Sequence, residues 1–327
     1  MNKRKIYYLL HSGKNSKLAY YTRVYLREIT PRCLLRPFLN HKLQEAEHRP
    51  DYDYIMKRVD YYNRLTTDIA YSLDDWKKEA VCLDKQQKTG QKVYYFDAME
   101  YGRWFPGHLL WRLEPGDPNQ YMTLPSVVKC RNLEGDSRLS VLLNMDKVRH
   151  FIFVNDQTPW EQKRDQVLFR GDLGARKQNR TDFMHRWYGK TLVDAGMTNY
   201  EGEQEWHREK LTIAEQMAYK FVMSLEGNDV ASNLKWVMSS NCLAVTPRPT
   251  METWFMEGLL VPNYHYVEVK PDFSDLEEKV DYYLSHPDKA KAIIQHAHEW
   301  VDQFKDKHRE DLISLLVLKK YFDITNP

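Results

Sequence analysis

The stretch Tyr219–Pro247, YKFVMSLEGNDVASNLKWVMSSNCLAVTP, decides how the rest of the chain is read. Tyr219 to Leu225 is apolar and β-prone, as a buried strand would be. Glu226, Gly227, Asn228 and Asp229 form a turn, with Asp229 placed as the N-cap of a helix. Val230, Leu234, Val237 and Met238 recur at helical spacing up to Ser239, and Cys242–Val245 is a second short strand stopped by Pro247 and Pro249. Strand, glycine turn, helix and strand make a βαβ unit. Gly227 lets the backbone approach a ligand closely, and a helix's first turn offers unpaired N–H groups to an anion such as phosphate. Read alone, the same residues equally describe an ordinary βαβ crossover with a polar turn.

Working outward, residues 161–305 alternate strands and helices as a parallel, doubly wound sheet does. Val167–Gly171 is a strand ending in Arg170-Gly171, then comes a loop to Asn179, and Arg180–Tyr188 is helical. Arg170, Arg176 and Arg180 surround this strand-to-helix turn, a pattern suited to bidentate phosphate contacts and equally to a salt-bridged surface. Met251–Leu260 reads as a helix and Tyr264–Val269 as a strand. Ser274-x-x-Glu277 has the capping-box form before a helix over 275–284, and Pro287 opens another to about Phe304. Glu310–Phe322 is the last helix.

Upstream, residues 1–90 are mainly helical in pattern. Lys92–Phe96, His108–Leu113, Leu124–Arg131 and His150–Val154 read as strands, Asp97 closing the first of them. The loop Glu114-Pro115-Gly116-Asp117-Pro118 follows the second, at a strand's C-terminal end, where open α/β sheets place ligands. A carboxylate there suits a general base, and an aspartate there also suits a plain turn. Asp51-Tyr52-Asp53 has the Asp-x-Asp form of metal–diphosphate sites, but it opens a helix, where acidic residues belong anyway. The polar stretch 155–163 gives the boundaries: residues 1–158, 159–306, and a final helix 307–327 that packs back on the first domain.

Composition excludes several classes. The 327 residues carry 48 basic and 46 acidic side chains, a net charge too small to argue for nucleic acid as a partner, and none is expected. Cys33, Cys82, Cys130 and Cys242 are spaced neither as a zinc site nor as a disulfide framework, which points to a reducing compartment. The apolar run Ile6–Leu10 is too short for a secretory signal, and no stretch is long enough to span a bilayer. Any membrane contact would come from the surface, helped by Lys3, Arg4 and Lys5 with Arg32 and Arg36, although the same residues read first as a solvated basic end.

Several blocks, in order, resemble glycosyltransferase family 90, which includes the lipopolysaccharide A proteins, capsule-associated xylosyltransferases and protein O-glucosyltransferases. They are WEQKRDQVLFRG (160–171) with Arg180 after it, SLEGNDVASNLKWVMSSNCLAV (224–245), and YHYVEVKPDFSDLEEKV (264–280). Leu124–Arg131 with the subsequent LLNMDKVRHFIFV is similar to the bacterial branch. The resemblance covers roughly the last two-thirds of the chain and implies an α/β fold of GT-B type, two Rossmann-like domains facing a cleft. It further implies an inverting transfer from a UDP-sugar that needs no metal.

By resemblance, Arg170, Gly171 and Arg180 match the family's strand end and the arginine after it. Gly227, Ser232 and Lys235 match its diphosphate turn and helix, with Glu226, Asn228, Asp229 and Asn233 beside them. Animal members have arginine where Asn233 stands, so Lys235 or Arg176 would supply that charge. The family's base is an aspartate just after a strand in the N-terminal domain, which Asp117 fits best, with Asp97 and Glu114 as rivals. The bacterial-type block implies a cytoplasmic enzyme at the inner membrane face, adding sugar to lipopolysaccharide or another lipid-linked or polysaccharide acceptor. A relative acting on protein or capsule, or a non-catalytic glycan- or nucleotide-binding protein, are the alternatives.

Overall fold

The computed structural model describes residues 3–174, 177–199 and 203–326. The fold is mixed α/β, and the chain divides into two compact units. The first comprises residues 1–15, 148–249 and 257–303, and the second residues 16–147, 250–256 and 304–327.

The first unit is built on a five-stranded, wholly parallel sheet. Its strands are β1 (Arg164–Gly171), β2 (Val193–Met197), β3 (Tyr219–Met223), β4 (Leu243–Thr246) and β5 (Val267–Glu268). Their spatial order is β5-β4-β3-β1-β2. Strands covered on both faces must be apolar on both, which is why Val167-Leu168-Phe169, Phe221-Val222-Met223 and Leu243-Ala244-Val245 run without alternation. Leu168 pairs with Val222 on one side and Asp194 on the other, setting the register at the middle of the sheet. The helix Gln178–Trp187 crosses from β1 to β2 and buries Phe183, Met184 and Trp187. Phe183 lies between Phe169 and Phe273, each ring 5.1 Å away in an edge-to-face pair. The helix Pro287–Asp302 buries Ala290, Ile293, Ile294, Ala297 and Val301 at the expected helical spacing.

The second unit is mostly helical, with strands only as two- and three-residue pieces. Val81–Cys82 pairs antiparallel with Leu110–Trp111, Ser126–Val128 parallel with Ser140–Leu142, and Cys130–Asn132 antiparallel with Met251–Thr253. The 19-residue helix Lys307–Thr325 packs on the helix Tyr52–Tyr62. Between them Arg58 and Glu310 form a buried ion pair, whose Glu310 Oε2 also accepts from Trp254 Nε1 at 2.6 Å. Tyr62 stacks on Trp254 at 3.8 Å between ring centroids.

Several local expectations are corrected. Lys92–Phe96 begins the helix Lys92–Gly102, so Asp97 sits in a helix and ends no strand. That helix is buried nearly all round, which erases the polar face that would have marked its period. His150 ends the short helix Lys147–His150, and 151–154 is irregular. Lys129 interrupts Leu124–Arg131 and splits it into two strands of different pairs. Met251–Thr253 is a strand, because it pairs with Cys130–Asn132 far away in sequence. The helix expected from Val230 begins only at Leu234 and lasts five residues, too short for a dipole-based anion site. Asp229 does not cap it. Ser274 forms no capping box either: Asp275 occupies the N-cap of Leu276–Ser285, and its carboxylate accepts from Lys270 N at 2.9 Å.

Candidate active site

In the parallel sheet the chain leaves β1 for β2 on one side, while β3 lies on β1's other side. The connections after β1 and β3 therefore diverge at the carboxyl ends of these strands and leave a crevice, where doubly wound sheets bind ligands. A cavity of about 270 Å³ occupies this place. Arg170 and Gly171 from the end of β1, Arg180 from the next helix, and Ser232 and Asn233 from the segment after β3 line it.

Arg180 ties the two connections together. Its Nη1 donates to the Asp172 carbonyl (3.0 Å) and carboxylate (2.8 Å), its Nη2 to Leu225 O (2.9 Å) and its Nε to Glu226 O (3.1 Å). Burial pulls this guanidinium's pKa down, and the Asp172 charge opposes it. Burial pushes the Asp172 carboxyl up, but Lys177 and Arg180 outweigh it and hold it below its ordinary value. Gly227 passes beside Arg180 with no room to spare: a β-carbon there would lie 2.9 Å from Nη2. Gly171 is similarly confined, since its β-carbon would stand 2.8 Å from the Phe169 ring. Arg170 turns back along the sheet, its Nη2 2.7 Å from Asp194 Oδ1 and its Nη1 2.8 Å from the Asp194 carbonyl. Lys14 and Lys210 also line it, so that among the described residues the lining holds four cations and one carboxylate, Asp172, with Arg170 paired to Asp194 outside the lining. A concave site of that charge suits a phosphate-bearing ligand.

The remaining sequence-designated residues scatter around this cavity. Asn233 holds its segment to the strand end by donating from Nδ2 to Met223 O (3.0 Å). Glu226 supplies the carbonyl that Arg180 and Asn179 grip, and Gly227 N donates to Asp229 O (2.8 Å) to close the turn. Asn228 is exposed and Asp229 buried. Lys235 points into the interior, where its fully buried ammonium lies 2.5 Å from Glu257 Oε1. It does not line the cavity. Arg176 lies outside the described residues. Lys14, Lys210 and Tyr8 were not legible beforehand, because they reach the cavity from distant segments through packing alone.

Residues 141–321 match the family model of Glycosyl transferase family 90. The chain is 37% identical over 274 residues to the O-glucosyltransferase LpsA of Dichelobacter nodosus, covering 84% of each protein. The chain belongs to glycosyltransferase family 90. Human Protein O-glucosyltransferase 3 is 28% identical over 173 residues, 51% of this chain and 34% of the human one. The uncharacterized protein 179R of Invertebrate iridescent virus 6 is 32% identical over 184 residues, 44% of this chain and 15% of the viral one. This family 90 member is thus a glycosyltransferase, and the cavity at the end of β1 lies largely within the matched segment.

The carboxylates proposed for this family 90 enzyme's proton transfer belong to the second unit. Asp117 accepts from Tyr94 OH at 2.9 Å and pairs with the buried ammonium of Lys129. Asp97 is fully enclosed and accepts from Tyr20 OH and Lys147 N, both at 2.9 Å. Burial raises its pKa to about 6, against the pull of Lys147. Glu114 pairs with Arg112 at 3.1 Å. Asp51 starts its helix and is held at about 2 by hydrogen bonding to Arg49. Among the described residues no three His, Cys, Asp or Glu side chains gather as metal ligands would.

Proposed function

We propose that this glycosyltransferase moves a sugar from a UDP-sugar, glucose first among the candidates, to a hydroxyl of a lipopolysaccharide or other surface glycan. The observation that carries this reading is the polar cavity at the switch point of the parallel sheet, with Arg170, Arg180, Lys14 and Lys210 around it. The relative at 37% identity is named an O-glucosyltransferase, which supports glucose. The similarity to Protein O-glucosyltransferase 3 supports a protein acceptor as the second reading.

In this reading the diphosphate lies against the guanidinium and ammonium groups, and its charge needs no metal to balance it. Chemistry of the inverting kind requires the acceptor oxygen to attack the anomeric carbon as the bond to the UDP oxygen breaks, UDP leaving with the electron pair. Asp117 takes the hydroxyl's proton, and Lys129 balances its charge beforehand. The GT-B arrangement, with an acceptor domain facing the nucleotide domain, belongs to this proposal as the architecture the family resemblance implies.

Thermal stabilisation by UDP and a panel of UDP-sugars, with and without EDTA, tests it. A ligand at a hundred times its dissociation constant should stabilise by about 2.7 kcal/mol. Stabilisation by UDP and UDP-glucose that EDTA leaves unchanged, with release of UDP when acceptor is added, is the expected result. A shift that appears only with added manganese overturns the metal-independent mechanism, and no shift with any nucleotide overturns the donor.

A further inference from the structure

Among the described residues, ten large apolar side chains left exposed fall between Ile6 and Phe38, against seven in the rest of the chain. The same stretch is strongly basic. Residues 3–38 hold nine lysines and arginines and one acidic residue, Glu28, leaving 39 basic against 45 acidic residues elsewhere. Arg4, Arg27, Arg32 and Arg36 pair with carboxylates outside the stretch, which still keeps Lys3, Lys5, Lys14, Lys17 and Arg23 beside its exposed apolar side chains.

The part of this segment from Ser16 onward belongs to the second unit and has a defined geometry there. The helix Lys17–Ile29 packs inward through Tyr20 and Val24, and Tyr20 OH and Arg27 fasten it to Asp97 and Glu100. At about 100° per residue, Leu18, Tyr25, Leu26 and Ile29 fall on one stripe of the opposite side. Leu18 is 80% and Ile29 77% exposed. Lys17 and Arg23, both exposed, flank the stripe on either side. The turns Arg32–Leu34 and Arg36–Phe38 come next, with Leu34 and Phe38 exposed as well.

We propose that this face docks on the surface of an anionic lipid bilayer. An apolar stripe flanked by basic side chains is the form that lies in the headgroup layer, its lysines and arginines reaching the lipid phosphates. The charge argues against a second copy of this chain, since pairing two such faces would bring like charges together. No described helix is long and apolar enough to cross the membrane, so attachment is to one surface.

Co-sedimentation of the full chain with phosphatidylcholine vesicles, with and without phosphatidylglycerol, tests this. Binding several-fold greater with phosphatidylglycerol, weakened by salt, is expected. The double variant Leu26→Asp/Ile29→Asp should lose it, and Lys17→Glu/Arg23→Glu should weaken it, both with unchanged Tm. Should the aspartate variant fail to fold, an environment-sensitive dye on the exposed Cys33, in a Cys82→Ser background, reads insertion directly as a blue shift. No blue shift, equal binding to both vesicles, or a concentration-dependent dimer that Leu26→Asp/Ile29→Asp dissolves each overturns the proposal. Failure here leaves nucleotide binding at the cavity untouched, so the two readings fall separately.

Discussion

Gly227 and Arg180 are placed so that even one carbon added at residue 227 would lie 2.9 Å from Nη2 of the arginine. The guanidinium is not free to yield cheaply, because it is held by two carbonyls of the β3 connection and by Asp172. Gly227→Ala should therefore shift Arg180 and weaken UDP binding about tenfold, ~1.4 kcal/mol. Isothermal titration with UDP checks this. An unchanged affinity would mean that Arg180 takes no part in holding the donor.

Asp117 and Asp97 make opposite predictions as proton acceptors. Asp117→Asn should lower kcat by a factor of about 10²–10⁴, with UDP stabilisation retained. Asp97→Asn should leave kcat within a few-fold, because its carboxylate is enclosed between Tyr20 and Lys147. A reversed outcome in steady-state assays would transfer the role to Asp97.

Asp97 also sets a pH dependence of stability. Its folded pKa of about 6 lies above that of an unfolded aspartate, about 4. The folded state therefore binds the proton more tightly. This contribution is fully present below about pH 4 and is lost as pH rises through about 6, a change of about 3 kcal/mol. The stability difference between the wild type and Asp97→Asn, from urea denaturation, should shift against the wild type across that window. A difference that stays flat would show that Asp97 ionises normally.

Glu310→Gln should cost about 3–5 kcal/mol, since it leaves the Arg58 guanidinium buried without its counter-charge. Replacing both partners with apolar residues, Arg58→Met/Glu310→Leu, should recover much of that loss in chemical denaturation. If the single and double variants lose equally, packing and not charge holds this contact.

The parallel sheet was legible because its strands are covered on both faces and so read as unbroken apolar runs, as in Val167–Phe169 and Phe221–Met223. Arg170 and Arg180 were legible for a local reason: guanidinium groups cluster around a strand end. The helix Lys92–Gly102 was misread because burial on every side removes the 3.6-residue contrast. Met251–Thr253 was misread because its strand character comes from a partner about 120 residues away. Lys235 stood at a plausible phosphate position, and only its pairing with Glu257 shows that its charge is already used inside. Lys14 and Lys210 carry no local signature at all.

The two units are not consecutive halves of the chain, since the second takes in residues 16–147, 250–256 and 304–327. During synthesis Arg58 and Asn63 leave the ribosome some 250 residues before Glu310 and Val317, their partners. The second unit therefore cannot finish until the helix Lys307–Thr325 has been made, and that helix acts as its closing signal. A message cut short after the sheet would yield a product with Arg58 and its apolar neighbours uncovered, a natural target for quality-control proteases. Only chains that extend past Glu310 and Val317 escape that fate.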